Sequence, residues 1–316
     1  MTRSQTPAAG LHVPPAQSPS GAIDAAYAAC ERLAGRDKPH LYSAAKLFPR
    51  DETRRAFAST YASMRIVDDA IDGIAHRASI EQSARSLAAT GVEDWLTHVR
   101  RAKDGGGETE PIWAALAHTF QRFDLPITPW ENLAAAMLED LRTPSFRDWA
   151  QLRHYMQGAS VAPAVVFMYL VLMRPGVTDG VFRTQWPYER VHQVTEDLAV
   201  FCYWVHILRD VSTDLTLGGT GLVYIPDEDL RQFGVRMEDL YAMRESGRAT
   251  PAYTRLGLYL AERARAHLMR GRLSFPAILA AAEPEAGRAL TGLVSTYEDI
   301  LHALEDRDFD IFARPL

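Results

Sequence analysis

Leu198-Ala-Val-Phe-Cys-Tyr-Trp-Val-His-Ile-Leu208 runs directly into Arg209-Asp210-Val-Ser-Thr-Asp214, with Gly218-Gly219 shortly after. Nothing from Pro187 to about Leu217 breaks a helix, so the spacing predicts one long helix, apolar nearly all round from Leu198 to Leu208. A helix of that character lies inside a large bundle. Asp210 and Asp214 are four residues apart near its C-terminal end, which puts both carboxylates on one face. Like charges repel at that spacing, and the negative helix pole adds roughly 0.3–1 kcal/mol per misplaced charge. A divalent cation would resolve the conflict, since hard Mg²⁺ takes carboxylate and phosphate oxygens together.

The same pattern occurs earlier, in Asp68-Asp69-Ala-Ile-Asp72 before Gly73. Alone, it reads as a solvated acidic face. The second cluster shifts the balance because its flanks, Phe201, Trp204, Val205 and Ile207, are no solvated surface. A carboxylate among them needs a partner. Arg65 and Arg209 stand beside the two clusters, suited to bidentate phosphate contact or to plain ion pairing. Two such clusters point to an enzyme acting on a diphosphate. Aromatic residues near them, Tyr61, Tyr155, Phe201, Trp204 and Tyr224 among others, are core in the ordinary reading and cation-shielding walls in the functional one.

Working outward, helix signals dominate. Asp51-Glu52 opens an uninterrupted run to Gly73, with Phe57, Tyr61, Met64 and Val67 at helical spacing. Capping-box patterns stand at Ser79/Gln82, Thr128/Glu131 and Ser145/Asp148. Gly105-Gly106-Gly107 marks an exposed loop, Pro126 separates two helices, and Gly221 to Pro226 reads as a short extended link. Alternating strand patterns are almost absent. The expected fold is therefore all-α, a single-domain helical bundle of ten or more helices over 21–316. Residues 1–20, with Pro7, Pro14, Pro15 and Pro19, read as a disordered leader.

With 47% hydrophobic residues in 316, the chain can bury a large core, and a net charge of -6 argues against nucleic acid as a partner. Cys30 and Cys202 form no zinc pattern and no disulfide framework, which suits a reducing cytoplasm. The longest apolar stretch, Val161 to Met173, falls short of the roughly 20 residues a membrane span needs. Any membrane contact is expected to be loose and to come through greasy substrates. Oligomeric state leaves no mark in the sequence.

Four segments, in order, resemble the squalene/phytoene synthase family of head-to-head prenyltransferases. Tyr61 to Asp72 is similar to the family's first aspartate-rich motif, and Ile207 to Val211 with Asp214 to its second. Gly221-Leu-Val-Tyr224-Ile-Pro226 through Val235 resembles the following segment, and Tyr297 to Phe312 with Arg314 the terminal helix. The resemblance covers about His40 to the C-terminus. It implies an isoprenoid synthase-like bundle with a central cavity, in which Asp68, Asp69, Asp72, Asp210 and Asp214 hold Mg²⁺. It also implies that Arg65 and Arg209 lie near diphosphate and that Tyr61, Tyr155 and Tyr224 line the pocket. The substrate implied is an allylic prenyl diphosphate.

Departures bear on the acceptor. His40 and Leu41 stand where the family has serine and phenylalanine. Tyr203 and His206 replace glutamine and asparagine, and Leu222 replaces an arginine. Tyr155-Met-Gln-Gly158-Ala-Ser160-Val-Ala-Pro163 departs from the family's Tyr-Cys-x-x-Val-Ala-Gly. These changes spare ionisation of one diphosphate and alter the seat of a second chain. They favour a small aromatic acceptor, as in the branch that prenylates carbazoles in bacterial secondary metabolism, over a second prenyl diphosphate. His206, one turn before Asp210, is then a candidate base, diphosphate donor or space filler. Terpene cyclisation is a third variant; a non-catalytic partner subunit or lipid-binding module is the reading from another class.

Overall fold

The computed structural model describes residues 19–37, 43–75, 82–107, 109–142, 145–215 and 223–313. His40, Ser79, Gly218 to Leu222 and Arg314 lie outside them, as do residues 1–18 of the expected leader. The helices are α1 (Pro19–Asp37), α2 (Asp51–Ala75), α3 (Gln82–Lys103), α4 (Pro111–Arg122), α5 (Thr128–Asp140) and α6 (Trp149–Met156). A π-helical turn (Gln157–Val161) joins α6 to α7 (Ala162–Leu172). There follow α8 (Tyr188–Asp214), α9 (Asp227–Gln232), α10 (Met237–Ser246), α11 (Pro251–Arg272), α12 (Phe275–Ala281) and α13 (Pro284–Glu305). Among the described residues the only sheet is an antiparallel pair of two-residue strands, β1 (Arg174–Pro175) and β2 (Phe182–Arg183). The all-α expectation holds. Pro19 and Ser20, assigned to the leader, instead open α1.

Helix starts follow local chemistry. Thr250 caps α11 by accepting the Tyr253 N–H, and proline occupies the first turn of α4, α11 and α13, where its missing N–H costs nothing. Two capping-box expectations fail. Thr128 is already the first residue of α5, with Ile127 at the cap. At α6 the cap is Asp148 itself, which accepts from the Gln151 N–H, while Ser145 donates to Asp227 at 2.9 Å. A carboxylate one residue before the helix outcompetes the more distant hydroxyl.

α8 runs through the centre. Phe201, Trp204 and Val205 on it are wholly buried, and it packs on α11, α7, α13 and the π turn. Its close contact with α11 needs Gly271, where an added Cβ would lie 2.6 Å from a Leu198 methyl. α2 is fixed in height by Ser63, whose carbonyl accepts Trp95 Nε1 at 2.6 Å and whose hydroxyl accepts Trp130 Nε1 at 3.1 Å.

α6, the π turn and α7 make a continuous helical run, Trp149–Leu172, longer than the 13-residue apolar stretch suggests. It is apolar enough to cross a membrane by length and composition, but its apolar window is 72% buried against other helices, as in a core helix. The π turn answers Pro163, which cannot donate to the carbonyl four residues back; the Ala162 N–H instead reaches the Gln157 carbonyl. Widening there pushes Gly158 against α5, where a Cβ would stand 2.2 Å from the Asn132 carbonyl oxygen. Gly158→Ala is therefore expected to cost about 1–3 kcal/mol by overpacking, read as a lower midpoint in urea unfolding with an unchanged slope.

Candidate active site

α2, α5, the π turn, α7, α8 and α13 enclose a cavity of about 510 Å³. α2 and α8 make no extensive contact with each other and face one another across it. Its wall on α8 is a stripe at three- and four-residue steps, Thr195, Leu198, Ala199, Cys202, Tyr203, His206, Asp210, Thr213 and Asp214. That stripe is about 28 Å long at the α-helical rise. Apolar residues from the other helices, Leu133, Val166, Phe167, Leu290 and Val294, line it as well. So do Asp68 and Arg65 of α2, together with Asp210 and Asp214 of α8. The two acidic helix ends thus share one chamber. Asp72 lies on α2 one turn beyond Asp68, with its side chain outside the described residues.

Each cluster carries its own cation. Arg65 pairs with Asp68 and with Asp69, neither more than half exposed. Asp69 pairs with Arg65 and is not among the residues that line the cavity. Arg209 grips both oxygens of Asp210, Nε to Oδ1 and Nη2 to Oδ2, each at 2.6 Å. This hydrogen bond, more than any other influence, raises the Arg209 pKa above its ordinary value. Arg209 is not among the residues that line the cavity; it holds Asp210, which is. His206 Nδ1 lies 3.1 Å from Asp210 Oδ2 and 2.8 Å from Arg209 Nη2. The unprotonated nitrogen accepts from Arg209, whereas the protonated one donates to Asp210. His206 does line the cavity.

The aromatic residues form one side of the chamber. Tyr155 stacks on Tyr224 with centroids 5.6 Å apart, Tyr203 sits 6.4 Å from Tyr155 and 6.3 Å from Tyr224, and the His206 ring follows at 5.7 Å from Tyr203. Tyr61, across the cavity, stacks on Phe57. The Tyr224 segment is tied down twice. Its backbone bonds the irregular segment before α6 (Asp227 N–H to the Phe146 carbonyl, 2.7 Å), and Asp229 holds Arg263 of α11 through two bonds, at 2.8 and 3.1 Å. Arg263 in turn lies over the rings of Trp149, Trp204 and Tyr259.

Tyr297 was missed as a site residue. It lines the cavity from α13, and burial raises its phenol pKa above the ordinary range. Its signal was the stripe Leu290, Leu293, Val294 and Tyr297, at helical steps on one face.

The donor set suits Mg²⁺. Among the described residues no three His, Cys, Asp or Glu side chains converge into a closed cage. Mg²⁺ rarely uses one; it takes one or two carboxylates and completes its shell with water and substrate phosphate. Carboxylates on opposite walls beside a greasy chamber offer that.

A helical bundle enclosing an apolar chamber with an acidic rim defines an isoprenoid synthase-like protein. The squalene/phytoene synthase family model matches residues 35–316, and the chain belongs to that family. Its curated relatives include a 15-cis-phytoene synthase from Synechocystis sp., 25% identical, with 99% of this chain and 88% of the relative aligned. Another is a phytoene synthase from Thermus thermophilus, 29% identical over 87% of this chain and 81% of the relative. The fold is shared with squalene synthase HpnC from Alicyclobacillus acidocaldarius (TM-score 0.70, 23% identity, 91% of this chain and 95% of that one). It is also shared with a dehydrosqualene synthase (TM-score 0.72, 19% identity, 91% and 88%). Members of the family are prenyltransferases acting on prenyl diphosphates, and this chain is a prenyltransferase.

Proposed function

We propose that the chain ionises an allylic prenyl diphosphate, held with its diphosphate at the acidic rim and its chain in the apolar cavity, and joins it head to head with a second prenyl diphosphate. The observation that carries the ionisation step is that Asp68, Arg65, Asp210 and Asp214, from two separate helices, line one greasy chamber. The phytoene synthase relatives support the second prenyl diphosphate as acceptor. Mg²⁺ would be held by Asp68, Asp72, Asp210 and Asp214 and would supply Lewis-acid charge to the leaving diphosphate. Arg65 is placed to add a bidentate contact to that group. Tyr61, Tyr155, Tyr203 and Tyr224 offer ring faces to the allylic cation, and the apolar walls keep water from it. Asp69 and Arg209 act as ion-pair partners that fix Arg65 and Asp210.

A second reading, a small aromatic acceptor, is favoured by the Tyr203–His206 wall and by the cavity's size. About 510 Å³ is within the range of roughly 300–1,000 Å³ that single small-molecule ligands occupy. An electron-rich ring would form a carbon–carbon bond to the cation as the carbon–oxygen bond to diphosphate breaks. The ring proton would pass to His206 or to a diphosphate oxygen.

Incubation with Mg²⁺ and one labelled prenyl diphosphate at a time separates the two readings. Hydrocarbon of doubled carbon number supports coupling; a hydrocarbon of unchanged carbon number would mean cyclisation instead. Substrate that reacts only when a carbazole or indole is supplied supports the aromatic acceptor. No diphosphate release under any of these conditions, with C10 to C20 substrates, contradicts prenyl transfer altogether and leaves the non-catalytic reading.

A further inference from the structure

We propose that Leu198, wedged between the chamber and Gly271 of α11, is the residue that limits the length of the prenyl chain, and that the limit is three isoprene units. That the ligand is a prenyl diphosphate rests on the function proposed above; the seating of Leu198 does not. Leu198 lines the cavity from α8 but is only 4% exposed, so most of its side chain is held by protein. Gly271, which is not among the lining residues, provides part of that seat. A Cβ there would lie 2.6 Å from Cδ2 of Leu198, 2.8 Å from its Cγ and 3.1 Å from its backbone nitrogen. The leucine therefore has little room to withdraw toward α11. Anything added at Gly271 would press it toward the cavity.

The α8 wall of the cavity ends one turn beyond Leu198, at Thr195. Val191, the next residue on that face, is wholly buried and is not among the lining residues. Thr195 is itself tied down, its hydroxyl donating to the Val191 carbonyl at 2.7 Å. With the diphosphate at Asp210, the carbon chain begins about one turn along α8, level with His206. From there Leu198 is about 12 Å away and Thr195 about 16 Å at the α-helical rise. An extended chain advances roughly 1.2 Å per bond, so a C15 prenyl group spans about 13 Å and a C20 group about 18 Å. The C15 chain ends against Leu198. The C20 chain overruns the wall at Thr195.

The test is calorimetric binding of C10, C15 and C20 prenyl thio-diphosphates, with Mg²⁺, to the full chain. One misfitting methylene in an apolar pocket shifts selectivity about 10–200-fold, so the wild type is expected to bind C15 at least about tenfold more tightly than C20. Leu198→Ala should raise the C20-to-C15 affinity ratio about tenfold. Gly271→Ala should lower the C15-to-C10 ratio about fivefold; if it does not fold, Leu198→Phe takes its place with the same expectation. C20 bound by the wild type as tightly as C15 or more tightly overturns the proposal, as does an unchanged ratio in Leu198→Ala or in the narrowing variant. Diphosphate release by the wild type from the three parent substrates is measured alongside. Release with no length preference overturns the limit and leaves prenyl transfer standing. A Leu198-dependent length preference in binding without any release keeps the limit and removes prenyl transfer. Binding of none of the three probes removes both.

Discussion

Asp210→Asn and Asp68→Asn are each expected to lower turnover about 10³-fold, roughly 4 kcal/mol of transition-state stabilisation. The two carboxylates come from α8 and α2 but line the same cavity, so each substitution removes part of what a diphosphate-bound cation would meet there. Because they act as a unit, the double variant should be little worse than the poorer single one. Asparagine keeps the shape of both sites. In Asp68→Asn, Arg65 still has Asp69, so the unfolding midpoint should barely move. In Asp210→Asn, Arg209 loses the charge that two of its bonds address, and a modest destabilisation accompanies the kinetic loss. Single-turnover diphosphate release with a labelled substrate checks the result; either variant retaining more than a tenth of wild-type turnover would contradict it.

Arg263→Met carries the largest structural effect. Asp229 is 1% exposed, and Arg263 is the cation bonded to both its oxygens. Removing one partner of a buried pair typically costs about 3–5 kcal/mol because the remaining charge is stranded. The loss should depend on pH in a stated direction. Burial already raises the Asp229 pKa, against the lowering influence of Arg263, and the variant removes that influence. The folded state then binds the proton more readily than the unfolded chain, so stability rises as pH falls and is lost as pH climbs through the folded pKa. The variant should therefore be less impaired at pH 5 than at pH 8 by urea titration. Adding Asp229→Asn should recover most of the deficit at pH 8. Activity should suffer as well, since the same pair anchors the segment that presents Tyr224 to Tyr155.

The sequence was most readable where one physical signal dominated. The long apolar helix ending in Asp210 and Asp214 is α8 within a few residues of its expected bounds, because no Gly or Pro interrupts it. The run from Asp51 is α2, two residues longer than Gly73 suggested. Features set by competition between distant groups were not readable. Whether Ser145 or Asp148 caps α6 depends on Asp227 engaging Ser145 from 82 residues away. The π turn depends on Pro163 together with space that Gly158 leaves against α5. Arg209 reads in sequence as a diphosphate ligand; that it also bonds both oxygens of Asp210 is a contact that side-chain reach alone does not reveal.

Crystals of the protein grown with Mn²⁺ and a non-hydrolysable thio-diphosphate prenyl analogue, examined by anomalous scattering, address the arrangement most directly. The expected map has metal peaks bridging the analogue's diphosphate to carboxylates of both α2 and α8, with the hydrocarbon tail running toward Thr195. Metal bound outside the chamber, or at one helix with the diphosphate elsewhere, would contradict it.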